Sequence, residues 1–273
     1  MALAYNHVKL LFEMKKNGMF PARALSIMEL GEQNWYGDVP PYDMITLATS
    51  LSCSPETIDI LKQRIDKLMP YYNDKSADQQ AATRKFVAHF ELSKLFYKII
   101  FNYSEYKAID LFKSMSGEKF DLNNEYNVTK KFDVVTNIGT SEHVFNQYMF
   151  FKNMHNLTAK GGFMINALPN QGCYDHGFYN YHPTFFFDLA DANKYEIKLM
   201  VYVDATKTGS DALISFDRVS YVEMAVNKKL SNYSAFFVIY QKIEDSAFAT
   251  PQQGFYNGSL PDHLKKAWSE IPR

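Results

Sequence analysis

The hydrophobic positions divide the chain into stretches of helical and of strand period. Residues 4 to 17 set Val8, Leu11 and Phe12 on one stripe, which predicts an amphipathic helix broken by Asn17-Gly18-Met19-Phe20-Pro21. Ala24 to Leu30 is a short apolar run stopped by Gly31, the pattern of a buried strand and a turn. A helical period then takes over. Ser54 stands as a cap with Pro55 in the first turn, Ile58, Ile60, Leu61, Ile65 and Leu68 follow at largely helical spacing, and Pro70 is expected to end the helix. A second helix, about Ala77 to Phe101, carries Phe86, Phe90, Leu92, Leu95, Phe96 and Ile99. Residues 42–104 therefore read as a helical insertion after the first strand, long for a connection. A lid, a partner surface and extra packing on a sheet flank all suit it.

Strand patterns return at Tyr106 to Leu111, Phe132 to Asn137 and Gly162 to Ala167, with a helix from about Val144 to Leu157 between the last two. This alternation implies parallel strands with right-handed crossovers, hence an α/β fold. A Phe-rich helix (Pro183 to Asn193), strands at Glu196 to Val203 and Ala235 to Lys242, and a short helix at Pro261 to Trp268 complete the pattern. Residues 1–273 are read as one domain.

Composition narrows the function. Of 273 residues, 47% are hydrophobic, enough for a core without disulfide staples, and the net charge of −1 gives no basic surplus for nucleic acid. Cys53 and Cys173 stand far apart and form neither a metal-type pair nor a disulfide framework, so a reducing, cytoplasmic setting is expected. The charged N-terminal helix does not read as a signal peptide, and no window approaches the roughly 20 apolar residues of a membrane span. The 22 Phe and 19 Tyr exceed ordinary usage; they suit a core, a pocket for a flat or apolar ligand, or a homodimer surface.

The chemistry-bearing residues fall at predicted strand ends. Glu29-Leu30-Gly31 closes the first strand, Asp110 the second, and Asp121 lies in Phe120-Asp121-Leu122-Asn123. Asn137 and Gly139 follow Phe132-Asp133-Val134-Val135, and Lys160-Gly161-Gly162 opens the next strand. Ligands of doubly wound sheets gather at the carboxyl ends of strands. Taken one at a time, each acid also suits a solvated charge or a helix cap. Taken in order, the series resembles the class I S-adenosylmethionine-dependent methyltransferases. That resemblance implies a Rossmann-like, mostly parallel sheet of about seven strands with one antiparallel strand near an edge. It implies S-adenosyl-L-methionine as cofactor, with Glu29 and Gly31 beside its methionine part, Asp110 on the ribose and Asp121 on the adenine, and Asn137 and Gly139 nearby. The first motif of that family usually holds several glycines, whereas Glu32-Gln33-Asn34 follow Gly31 here.

A second polar and aromatic stretch, His176-Gly177-Phe178-Tyr179-Asn180-Tyr181-His182-Pro183, leads into Phe186-Phe187-Asp188-Leu189. With Pro251 to Tyr256, it resembles a bacterial subgroup of these enzymes found in sugar and surface-glycan pathways. The resemblance implies a small-molecule or sugar acceptor, methylated on oxygen or nitrogen. A hydroxyl acceptor must lose its proton, and histidine is the usual base. His176 is the first candidate and His143 the second. Asn137 and Glu142 are expected to position the acceptor, and Tyr179, Asn180, Tyr181 and His182 to line its pocket. His7, His89, His155 and His263 have no motif around them and read as structural or surface histidines. Glu142, His143, Asp175, His176 and His182 are metal-ligand types, but no tight ligand spacing appears and no metal is expected. A dinucleotide oxidoreductase would need a Gly-x-Gly-x-x-Gly turn after the first strand, which is missing. A methyltransferase-like fold that binds a partner without catalysis is the remaining alternative.

Overall fold

The computed structural model describes residues 2–112, 115–258 and 260–270. The chain forms two compact units, one up to Phe120 and one from Asp121 onward.

In the first unit, β1 (Ala2–Leu3) precedes α1 (Tyr5–Lys16), β2 (Ser26–Leu30) and β3 (Asn34–Trp35). Three helices follow, α2 (Asp43–Ser50), α3 (Pro55–Tyr72) and α4 (Gln79–Phe101), then β4 (Glu105–Asp110) and β5 (Gly117–Lys119). β2 pairs with β4 and β4 with β5, all parallel, while β1 and β3 form a separate parallel pair. Only one face of α3 is buried, through Leu61 and Ile65, whereas α4 buries Ala88, Phe90, Leu92, Leu95, Phe96 and Ile100 and is the main core helix of this unit. Ser54 caps α3 as the sequence suggests, accepting the Thr57 N–H. Pro70 does not end α3. Its ring sits in the exposed last turn, the helix runs on to Tyr72, and the Asn73 N–H still reaches the Met69 carbonyl. The missing donor there costs only one bond in a turn that is already fraying. β4 stops at Asp110, which leaves Leu111 outside the strand and 51% exposed.

The second unit holds β6 (Phe132–Ile138), α5 (Gln147–Leu157), β7 (Thr158–Gln171), α6 (Pro183–Asn193), β8 (Tyr195–Asp204), β9 (Leu213–Ser215), α7 (Arg218–Val226), β10 (Ser234–Lys242), α8 (Gly254–Asn257) and α9 (Asp262–Glu270). β6 and β7 are parallel; β10 runs antiparallel between β7 and β8, and β9 is antiparallel to β8 at the edge. Within Lys160-Gly161-Gly162, near the start of β7, the second glycine has a steric cause. A Cβ on Gly162 would stand 2.8 Å from the Ala159 carbonyl and 3.0 Å from that of Asp133, so β7 can approach β6 there only without a side chain. α5 starts later than the hydrophobic pattern suggests. Ser141–His143 form a separate 3-10 turn, and Asn146 caps the helix by accepting the Met149 N–H.

The chain is thus an α/β protein of mostly parallel strands with an antiparallel edge region, as the sequence predicts. β3, β5, β9, α2 and α7 were not legible in the pattern; three of them are strands of two or three residues, too short to show a period. No helix among the described residues is long and apolar enough to cross a membrane.

Candidate functional site

In the first unit the chain turns sharply after β2. Gly31 has φ of +87°, and its N–H donates to the Ile109 carbonyl at 2.7 Å, which ties the turn to the end of β4. Glu32 and Gln33, which follow Gly31, fold inward and are 2% and 1% exposed. The Glu32 carboxylate accepts the Ser116 N–H at 3.0 Å and pairs with Lys94 at 3.5 Å. The Gln33 amide group donates to the Gly31 carbonyl at 2.9 Å. Trp35 anchors the chain just beyond β3, donating from its indole to the Val39 carbonyl at 2.8 Å.

Glu29 lies fully buried at the end of β2. Its carboxyl receives the Gln33 N–H at 3.0 Å and the Tyr106 hydroxyl. Burial pushes its pKa up to about 7, against the hydrogen bonds from Tyr106, Tyr97 and Gln33 that favour the charged form. Burial likewise pushes the Tyr106 hydroxyl far above the ordinary phenol range. Asp110, half-buried at the tip of β4, accepts the Phe112 N–H at 3.2 Å through Oδ1 and the Glu32 N–H at 3.3 Å through Oδ2. The structure therefore brings Glu29, Gly31 and Asp110 together around one turn. Glu29 is committed to internal hydrogen bonds, and Asp110 is the more accessible acid.

In the second unit Asp121 forms an Asx turn, its Oδ1 accepting the backbone and side-chain N–H groups of Asn123 at 2.9 and 2.7 Å. Asn123 in turn accepts the Asn146 N–H at 2.9 Å, next to the start of α5. Asn137, at the end of β6, is completely buried. Its amide donates to Ser141 Oγ at 3.0 Å and Asn166 Oδ1 at 2.9 Å, and its oxygen accepts the Ser141 N–H at 3.1 Å. The Gly139 N–H donates to the Ala167 carbonyl at 2.9 Å. Tyr181 completes this network, its hydroxyl 2.7 Å from Ser141 Oγ and 2.6 Å from Gln147 Oε1. Asn137 is thus a fixing point for the Ser141–His143 turn. Ser141 and Gln147 were not singled out in the sequence, where nothing marks a lone serine or glutamine as part of a network.

That turn presents Glu142 and His143 to the loop after β7. Cys173 and Asp175 adopt φ of +53° and +56°, a conformation uncommon for residues with a side chain. The loop then passes over Glu142: the Phe178 N–H donates to the Glu142 carbonyl at 2.7 Å, and Gly177 lies directly above the residue. The His143 and His176 rings meet edge to face with centroids 4.8 Å apart. Both are exposed, while Glu142 is 2% exposed and its Oε2 has no hydrogen-bond partner. Burial raises the Glu142 pKa to about 7 and, with the neighbouring His176, lowers that of His143. Phe145 and Phe178 stand beside the histidines, 69% and 65% exposed and edge to face at 5.7 Å.

The other predicted acceptor residues lie around this loop. Tyr179 donates to the Phe145 carbonyl at 2.9 Å, and Asn180 to the Gly172 carbonyl at 3.3 Å. His182 is the N-cap of α6, with Nδ1 3.0 Å from Thr184 Oγ1 and accepting the Thr184 N–H at 3.4 Å. Asp188 on α6 pairs with Arg218 and accepts the Gly254 N–H at 3.3 Å, which links the stretch after β7 to the segment from Pro251 to Tyr256.

No family model matches the chain, and no curated protein does. Among solved structures it is similar to a 1,6-didemethyltoxoflavin-N1-methyltransferase of Burkholderia thailandensis with bound S-adenosylhomocysteine (8% identity, 87% of this chain and 78% of that one, TM-score 0.42). It is also similar to the N-methyltransferase NodS of Bradyrhizobium japonicum (12% identity, 88% and 96%, TM-score 0.39). A third is an O-methyltransferase from a trans-AT PKS multienzyme of Brevibacillus brevis, in complex with S-adenosyl-L-homocysteine (11% identity, 97% and 85%, TM-score 0.40).

Proposed function

We propose that this chain transfers a methyl group from S-adenosyl-L-methionine to a hydroxyl or amine of a small-molecule or sugar acceptor. The ordered series of strand-end acids supports the donor. The turn after β2 fits that donor: Gly31 takes the positive φ that a close backbone approach needs, and Asp110 offers a half-buried carboxylate at the tip of β4. In this reading Glu29 and Gly31 serve the methionine part, Asp110 the ribose and Asp121 the adenine, with Asn137 and Gly139 as further cofactor contacts.

The observation that carries the acceptor side is the exposed His143–His176 pair beside Phe145 and Phe178. Exposed aromatic edges and faces suit the apolar surface of a sugar or a small ring. S-adenosylmethionine, when bound, supplies a methyl on a sulfonium. The chain's own residues hold the acceptor and take its proton; His176 is the base, and Glu142 and Tyr179 shape the rim. Calorimetry with S-adenosylhomocysteine tests the reading. Binding is expected for the parent chain and loss of at least tenfold in affinity for Asp110→Ala; a folded sample that ignores the compound overturns it.

One observation favours the alternative of a binding module without catalysis. Glu32 and Gln33 stand where the family's glycines would be, and their side chains pack into the turn. The same calorimetry separates the readings, because a module without the donor shows no heat of binding.

A further inference from the structure

We propose that Glu142, His143 and His176 form a divalent-metal site of the zinc type, with a fourth position open toward the acceptor. One carboxylate oxygen and two imidazole nitrogens from these residues all lie within 4.8 Å of one another, the one such group of three among the described residues. A tetrahedral ion with bonds of about 2.0–2.1 Å holds its ligand atoms about 3.3 Å apart. Two of the three residues are exposed side chains, and rotation of their rings closes that difference.

A second observation points to the same ligand. Glu142 Oε2 is buried without a hydrogen-bond partner. A buried carboxylate oxygen in that state is costly unless a cation meets it. The Phe178 N–H bonds the Glu142 carbonyl at 2.7 Å, so the two ligand-bearing loops are tied together next to the site. Asn137, Tyr181 and Gln147 hold the Ser141–His143 turn from the other side. The sequence hid the set because Glu142 and His143 are neighbours in the chain whereas His176 arrives from another loop, so no ligand spacing appears. Asp175 and His182, which share the ligand chemistry, stand outside the group.

Two histidines and one glutamate leave a coordination position free, the arrangement of a catalytic rather than a structural zinc. Phe145 and Phe178, two residues beyond His143 and His176, are exposed. A hydroxyl or diol oxygen of the acceptor fits the free position, and coordination lowers the pKa of that hydroxyl; with the ion bound, His176 is a ligand instead of the base, and the proton passes to solvent. This last step rests on the methyl-transfer reading; the binding of the ion does not.

The test uses the full chain, stripped with a chelator and titrated with zinc chloride by calorimetry, with cobalt(II) substitution to read the ligand field by absorption. One ion per chain is expected, with tetrahedral or five-coordinate cobalt bands. His176→Ala and Glu142→Gln should each weaken binding by about 100-fold or more, at or beyond the loss seen for outer-shell partners. His263→Ala, on the exposed face of α9, should leave it unchanged. Circular dichroism confirms that the variants are folded, and His176 is exposed enough to be removed without opening the core. Absence of binding at millimolar zinc, or binding equally strong in both variants, overturns the site. Metal binding without any response to S-adenosylhomocysteine keeps the site and removes the methyl-transfer reading.

Discussion

Gly177 crosses Glu142 so closely that a Cβ on it would stand 2.9 Å from the Glu142 carbonyl oxygen and 3.1 Å from its Cγ. The first of these contacts is to backbone, which cannot swing aside, so the loop after β7 and the turn after β6 must move apart if the glycine is replaced. Gly177→Ala should destabilise the protein by about 1–3 kcal/mol, as overpacking does. It should also shift Glu142 relative to His176. A lowered urea midpoint with unchanged slope reads the first effect. An unchanged midpoint would show that the loop gives way freely and that glycine is not needed at this crossing.

Glu29 predicts a pH dependence of unusual sign. Its folded-state pKa is raised from 4.5 to about 7. A raised pKa means that the folded chain holds the proton longer than the unfolded chain. The associated stability is complete below about pH 4.5 and is lost as pH rises through 7. The shift corresponds to about 3 kcal/mol, at about 1.4 kcal/mol per pKa unit. Glu29→Gln keeps an oxygen to accept from Gln33 and Tyr106 but cannot ionise. The variant should lose this part of the slope and be the more stable of the two at pH 8, measured by denaturant titration at several pH values.

His155 gives the opposite slope. It is 1% exposed, lies 2.6 Å from the Tyr195 hydroxyl and 2.8 Å from the Ser246 carbonyl, and its pKa is lowered to about 4, chiefly by burial. The unfolded chain then binds a proton that the folded chain refuses. Stability from this group is full above about pH 6.5 and falls as pH drops toward 4, by about 3 kcal/mol in all. Because the Glu29 and His155 windows overlap with opposite sign, each is read as a difference between variant and parent. A His155→Gln chain whose stability still falls by the same amount between pH 6.5 and 4 would refute the assignment.

Asp188 ties three parts of the second unit together. Its carboxylate meets Arg218, whose guanidinium also lies over the Phe187 ring at 4.9 Å, and accepts the Gly254 N–H at 3.3 Å. Asp188→Ala should cost about 3 kcal/mol, because it leaves a largely buried guanidinium without its partner. The segment from Gly254 onward should become cleavable by trypsin at Lys265, read by mass spectrometry of limited digests. Asp188→Asn, which keeps an acceptor for the amide, should fall between the two.

The fold class was readable because it rests on local information. Apolar runs such as Ile27 to Leu30 and Val134 to Ile138 bury nearly every side chain, and an amphipathic period between them marks helices; their alternation alone implies parallel strands. Caps were readable for the same reason, since Ser54 acts within three residues of itself. Pro70 does not stop α3 because it lies in the exposed last turn, a placement that the local sequence does not carry. Sequence order also singled out Glu29, Asp110, Glu142, His143 and His176. It could not assign them their states.

Those states come from the environment that distant residues make. Glu29 has its pKa raised to about 7 because the folded chain buries it, against the hydrogen bond from Tyr106, 77 positions away, which favours the charged form. The Asn137 amide bonds Ser141 and Asn166, and Asn166 is 29 positions away in the chain. Glu142 and His176 are 34 positions apart in the chain, and only the return of β7 brings the loop that carries His176 over the turn that carries Glu142. Periodicity and caps depend on neighbours a few residues away and are written into the sequence. Burial, desolvation and the meeting of ligand atoms depend on which strands lie side by side, and the tertiary structure decides them.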